Sequence, residues 1–291
     1  MKTLQPRKVN KPLILYGYGN LGHLAEEIFK ELNIPILKIL DKKIQYAGVK
    51  KEWKATCLVA HCCVIEPYFS HIKVRSKTRH RRILPISMRL RELGWMDVVP
   101  VWDIIEAYPE ANIHNGFFSG EYSKEDQKTV RIVAQHFFAD HLSKIHYHYF
   151  LTWKKMRIEE SLWVHKPLLN LRYKIPEVLA AIRIRDRYFS EHPGSTLADL
   201  RKRQYVHVFN KPYNYIELHA EGYELQSLEA NKEYLQEHRP ILCITTYHSR
   251  DGLWKIPMFV YENLKDYSLL FRVHAYQGQA AVLYCIPSER R

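Results

Sequence analysis

Leu13-Ile-Leu-Tyr16, running straight into Gly17-Tyr-Gly-Asn-Leu-Gly22, is the stretch that decides the fold. Four apolar residues read as a short strand. The glycines at 17, 19 and 22 match G-x-G-x-x-G at the point where a strand turns into a helix. In that setting the first glycine permits the tight turn, the second lets backbone approach a pyrophosphate, and the third lets the helix pack on the strand. The helix N-terminus then offers free N–H groups to an anion. Leu24, Ile28 and Leu32 continue the helix on one stripe. Asp41 closes a second strand over 36–40, where an acid would meet a ribose. Gly17, Gly19, Gly22 and Asp41 are therefore the candidate cofactor-binding residues, for a nucleotide. Bulky Tyr18, and His23 just inside the helix, speak for the alternative, in which the glycines serve packing alone.

Outward from this turn, a third strand is expected over 56–65 and a fourth over 97–101. A helix then begins at Trp102 and ends at Pro109. Strand–helix–strand order makes residues 1–115 a Rossmann-like parallel sheet with helices packed on it. Over 124–157, Val130, Val133, Phe137, Leu142, Ile145, Tyr149, Trp153 and Met156 recur at helical spacing. One long helix or two in sequence is expected there, within a helical bridge over 116–170. His136 and Asp140 stand four apart, so one face could offer both to a metal; a packed or solvated pair is the simpler reading, and no metal is assigned. The stretch 178–189 is basic and expected to be helical. From Asn214 the alternation returns, with strands over 215–220, 240–246, 268–274 and 280–286 and helices over 224–237 and 253–264. The fold class is α/β, with a second α/β domain over 171–291.

Hydrophobic residues at 46% and charged residues at 26% describe a globular chain. No apolar run approaches the roughly 18–20 residues that cross a bilayer. Lys2, Arg7, Lys8 and Lys11 imitate the start of an export signal, but a strand and glycine turn follow them. Five cysteines without regular spacing suit a reducing cytoplasm, and Cys62 and Cys63 sit in an apolar strand. The net charge is +13, and no acid interrupts the chain between Glu66 and Glu92. Arg75, Lys77, Arg79, Arg81 and Arg82 form a basic patch within that run, suited to an acidic protein partner or simply to solvent. It lacks the interleaved aromatics of a nucleic-acid stacking platform.

Two family resemblances attach to these motifs. Gly-Tyr-Gly-Asn-Leu-Gly at 17–22, Ile-Leu-Asp at 39–41 and Leu-Gly-Trp-Met-Asp-Val-Val-Pro-Val-Trp-Asp-Ile-Ile at 93–105 resemble the nucleotide-binding-like N-terminal domain of some bacterial FkbM proteins. Tyr215-Ile-Glu-Leu-His-Ala-Glu-Gly-Tyr-Glu224 resembles the Ile-Lys-Ile-Asp-Val-Glu-Gly-Ala-Glu segment of FkbM methyltransferases. Thr196 to Leu200, Ile244 to His248, Leu253 to Pro257 and Val282 to Tyr284 resemble other parts of that family's ending. The resemblance implies a methyltransferase fold and S-adenosylmethionine as donor.

The departures point away from catalysis. His219 stands where the family has an aspartate, beside a retained Glu221. A donor site on this fold needs a Gly-rich turn after its first strand and an acid ending its second, yet no glycine occurs between Gly120 and Gly194. Only about thirty residues separate Trp163 from Ser195, and one βαβ unit already takes roughly thirty. The expectation is a truncated, non-catalytic FkbM-like scaffold or adaptor in a bacterial cytoplasmic assembly, without a cofactor. The alternatives are an active S-adenosylmethionine-dependent methyltransferase or a nucleotide-binding enzyme. The chain also resembles, more loosely, a non-enzymatic subunit of the coupling complex of Dot/Icm type IV secretion systems.

Overall fold

The computed structural model describes residues 6–41, 48–62, 65–68, 82–111, 122–156, 179, 185–189, 206–220, 222–273 and 281–290. The chain divides into two compact units, one from residues 1–113 with 194–202 and the other from residues 114–193 with 203–291. Among the described residues no helix is long and apolar enough to cross a membrane.

The first unit is a parallel sheet of order β2-β1-β3-β6: β1 (Leu13–Tyr16), β2 (Ile36–Leu40), β3 (Leu58–His61) and β6 (Val98–Pro100). Alternation along β1 builds a layer on each face. Leu13 and Leu15 pack with Leu24, Ile28 and Phe29 of α1 (Asn20–Glu31) and with Ile104 and Ile105 of α4 (Val101–Ile105). Ile14 and Tyr16 face the other way, toward Trp95 and toward Ile86 and Leu90 of α3 (Ile86–Glu92). A one-turn helix, α2 (Trp53–Thr56), precedes β3. The strand expected over 56–65 is two: β3 ends at His61, and β4 (Ile65–Tyr68) pairs antiparallel with β5 (Arg82–Pro85) as a separate ribbon. The helix expected over 102–108 is also shorter, because Pro109, with no N–H to give, opens a 3-10 turn over Pro109–Ala111.

The second unit carries a mixed sheet of order β10-β11-β9-β8-β7. Its strands are β7 (Arg187–Phe189), β8 (Tyr215–Leu218), β9 (Ile241–Thr245), β10 (Tyr267–Val273) and β11 (Ala281–Pro287). β7, β8 and β9 run parallel, and β11 is antiparallel to both neighbours. The end of the stretch expected to be helical, 187–189, is thus a strand. It is held against β8 because the backbone N–H groups of Asn214 and Tyr215 donate to Asp186 O, while Asn214 Oδ1 accepts from the N–H groups of Arg185 and Asp186.

The amphipathic stretch after residue 123 belongs to this second unit. α5 (Lys124–Ile132) opens on a reciprocal capping box between Ser123 and Asp126. A π-helical turn over Val133–Phe137 and a break at 138–140 separate it from α6 (His141–Met156). α6 covers the outer edge of β10. Ser143 Oγ accepts from Phe271 N at 2.9 Å, and His146 Nδ1 accepts from Val273 N at 3.0 Å. Donors that would otherwise invite another strand are thereby occupied. Arg272, only 4% exposed, reaches back from this strand to Asp140.

The helix expected over 224–237 is two, α7 (Glu224–Ala230) and α8 (Lys232–His238), divided at Asn231. The buried Asn231 amide explains the break: it donates to His207 O and Ser227 O and accepts from Phe209 N, pinning the chain before β8 onto the helix pair. α9 (Gly252–Asn263) completes the layer.

Candidate functional site

In the first unit the structure brings Gly17, Gly19, Gly22 and Asp41 together at the carboxyl ends of β1 and β2, where ligands bind open α/β sheets. Gly17 has φ +93°, a backbone state that glycine alone adopts freely, and its N–H donates to Leu40 O at 2.7 Å. A Cβ on Gly22 would lie 2.3 Å from Gly17 O. The outer two glycines are therefore demanded by the turn and by helix packing. Gly19 is different: its φ is −89°, and among the described residues nothing lies within 4 Å of where its Cβ would be. Asp41 Oδ2 accepts the Tyr18 N–H at 2.7 Å, so this acid supports the turn itself. Tyr18 donates its hydroxyl to Glu26 and lays its ring 4.0 Å from that of His23, which accounts for the two residues that looked out of place.

The other expected sites fare differently. Arg75, Lys77, Arg79 and Arg81 lie outside the described residues, and Arg82 is described only as the first residue of β5. Asp140 is no partner for His136. Its Oδ2 accepts from Arg272 Nη2 at 2.7 Å, and its Oδ1 from Ser143 N at 2.7 Å and Arg272 Nη1 at 3.3 Å.

In the second unit the family-like residues gather where β8 and β9 end. His219 follows β8, and Tyr247 and His248 follow β9; the His219 and His248 rings are 4.5 Å apart and the Tyr247 and His248 rings 4.0 Å. Gly222, at φ +103°, lets the turn pass close to β9, since a Cβ there would sit 3.2 Å from His248 O. Glu221 is outside the described residues.

The group that holds this turn is Glu224, which is not among the residues expected from the sequence. Its carboxyl is buried and accepts from Ala220 N at 3.0 Å, Gly222 N at 2.9 Å and Thr245 Oγ1 at 2.8 Å. Burial pushes the carboxyl up to about 7, against the downward pull of those three donors. An acid two residues past a glycine, opening a helix, is a legible signal for such a clamp. Thr245, 21 residues away, is not. Chemically, the arrangement is a carboxyl committed to backbone and hydroxyl donors beside the closely spaced, mutually tilted rings of His219, Tyr247 and His248.

No protein-family model and no curated protein matches this sequence. Among solved structures, the crystal structure of a methyltransferase FkbM from Methylobacillus flagellatus KT is similar at a TM-score of 0.54. The identity is 12%, over 94% of this chain and 90% of that one. The fold is methyltransferase-like.

Proposed function

We propose that the chain is a non-catalytic, methyltransferase-like scaffold or adaptor subunit of a bacterial cytoplasmic protein assembly. The observation that carries the reading is the connection between β7 and β8. These strands are parallel neighbours, and residues 190–214 between them hold one glycine, Gly194. A connection that short has room for one crossover of roughly thirty residues with its strands, not for the two units that a Gly-rich turn and a following acid would occupy. The turn beyond β8 supports the same reading, since Glu224 is committed to holding backbone and His219 stands where the FkbM-like motif has an acid.

The test is calorimetry of the full chain with S-adenosylmethionine. No binding up to millimolar donor is the expected result, and sub-millimolar binding overturns the proposal. Assembly supplies the positive arm. Reversing the charges of Arg79, Arg81 and Arg82 weakens association with an acidic partner, most visibly at low salt, whereas Glu221→Gln and His248→Asn leave assembly intact. A narrower form of the proposal has the chain in a Dot/Icm-type secretion coupling complex; co-purification with that complex's subunits from a bacterium that encodes both tests it.

A second reading has one observation in its favour. Among the described residues nothing lies against Gly19, and that is the position at which a dinucleotide's pyrophosphate would approach backbone. Calorimetry with NAD separates it from the first.

A further inference from the structure

We infer that Glu224 and Thr245 form a proton-linked latch on the turn that carries His219, Ala220 and Gly222, able to hold that turn with the carboxyl either ionised or protonated. The inference is independent of whether the chain transfers methyl groups. Its basis is a hydroxyl with two choices. Thr245 Oγ1 lies 2.8 Å from Glu224 Oε1 and 3.4 Å from Leu218 O. When the carboxyl is ionised, the hydroxyl donates to it, and Ala220 N and Gly222 N complete the set. When the carboxyl takes up a proton, it donates to Thr245 Oγ1, and the hydroxyl turns its own hydrogen to Leu218 O. The two backbone donors keep an acceptor in both states, so neither state strands a buried polar group.

Among the described residues, two imidazoles flank the clamped turn. His219 is on the clamped turn, and the His248 carbonyl lies against Gly222. Charged residues on the helices packed around the carboxyl are exposed: Glu229 on α7, Lys232, Glu233 and Glu237 on α8, and Lys255 and Glu262 on α9. Glu217, on β8, acts on Tyr215 and Cys243, in the cluster on the opposite face of the sheet from Leu218 and Leu228. With the folded carboxyl raised from 4.5 to about 7, the folded state holds a proton that the unfolded chain has released across that window. Stability from this group is fully present below 4.5 and is lost as pH rises to about 7.

The test is denaturant unfolding of the full chain at half-unit steps from pH 4.5 to 8, comparing the wild type with Glu224→Gln. Relative to the variant, the wild-type folding constant is expected to fall close to tenfold per pH unit inside the window and to level off above it. Parallel pH curves for the two proteins overturn the inference. Should Glu224→Gln fail to fold, Thr245→Ser and Thr245→Val decide it. The serine variant keeps a hydroxyl and should follow the wild-type curve. The valine variant loses the donor that favours ionisation, so its window should extend to higher pH; a valine curve coincident with wild type overturns the latch.

Discussion

Asp140→Asn is a one-atom change that tests how the second unit closes its sheet. Arg272 is 4% exposed, so its guanidinium depends on protein partners: Asp140 through Nη1 and Nη2, Ser143 Oγ at 2.8 Å and Phe271 O at 3.0 Å. Asparagine keeps the oxygen that accepts from Ser143 N but turns the other into an NH2 facing Arg272 Nη2, donor against donor. Removing one partner of a buried pair costs roughly 3–5 kcal/mol. Asp140 is itself 37% exposed, so water can reach the pair and the low end, about 3 kcal/mol, applies. Burial tends to raise the Asp140 carboxyl, but the bonds from Arg272 and Ser143 outweigh it and hold it below its ordinary 3.8. The wild-type advantage is therefore present above pH 3.8 and is lost as pH falls through the lower folded value. The assay is urea unfolding of Asp140→Asn, Arg272→Met and the double variant. The double variant should be no less stable than Arg272→Met alone, because with the charge gone Asp140 has nothing left to neutralise. A loss under about 1 kcal/mol for Asp140→Asn, or simple additivity in the double variant, refutes the reasoning.

The glycine turn separates its two roles by substitution. Gly22→Ala should cost about 1–3 kcal/mol or more, because a methyl 2.3 Å from a carbonyl oxygen forces backbone apart. Gly19→Ala should stay within about 0.5 kcal/mol of wild type, and thermal melts of the two compare them directly. Asn231→Ala leaves Phe209 N and His207 O without their buried partner and should cost about 2–4 kcal/mol by urea unfolding. Arg7, and then Lys11, hold the Asp97 carboxyl below its ordinary 3.8. The stability difference between wild type and Asp97→Asn should thus be present at neutral pH and vanish as pH falls below that range, a trend that unfolding curves at pH 2 to 6 would reveal.

Periodicity carried most of the fold. Ile36–Leu40 is the strand expected, and the glycine turn opens α1 at Asn20, with Leu24 and Ile28 on its buried face. What escaped was decided by partners far along the chain. Residues 187–189 look helical by composition but pair with β8, and only the bonds around Asp186 and Asn214 show why. Asn231 sits in a helical pattern and breaks it because its amide is claimed by a segment more than twenty residues earlier. At the candidate site, His219 and His248 come into view through the resemblance to the FkbM ending, and Gly222 lies within the segment that carries it. Glu224 stands in the same segment, but its role appears only once the fold brings Thr245 beside it.

The seam between α6 and β10 also sets an order of events in the cell. Ser143 and Phe271 are 128 residues apart. At roughly 5–20 residues per second, a ribosome needs on the order of ten seconds to make the strand after it has made the helix. For that interval Tyr147 and Phe150, both fully buried in the finished protein, have no sheet to lie against. The helix is therefore the segment a nascent-chain chaperone would meet, and its release would wait on the last strands rather than on the first unit, whose sheet can be complete long before.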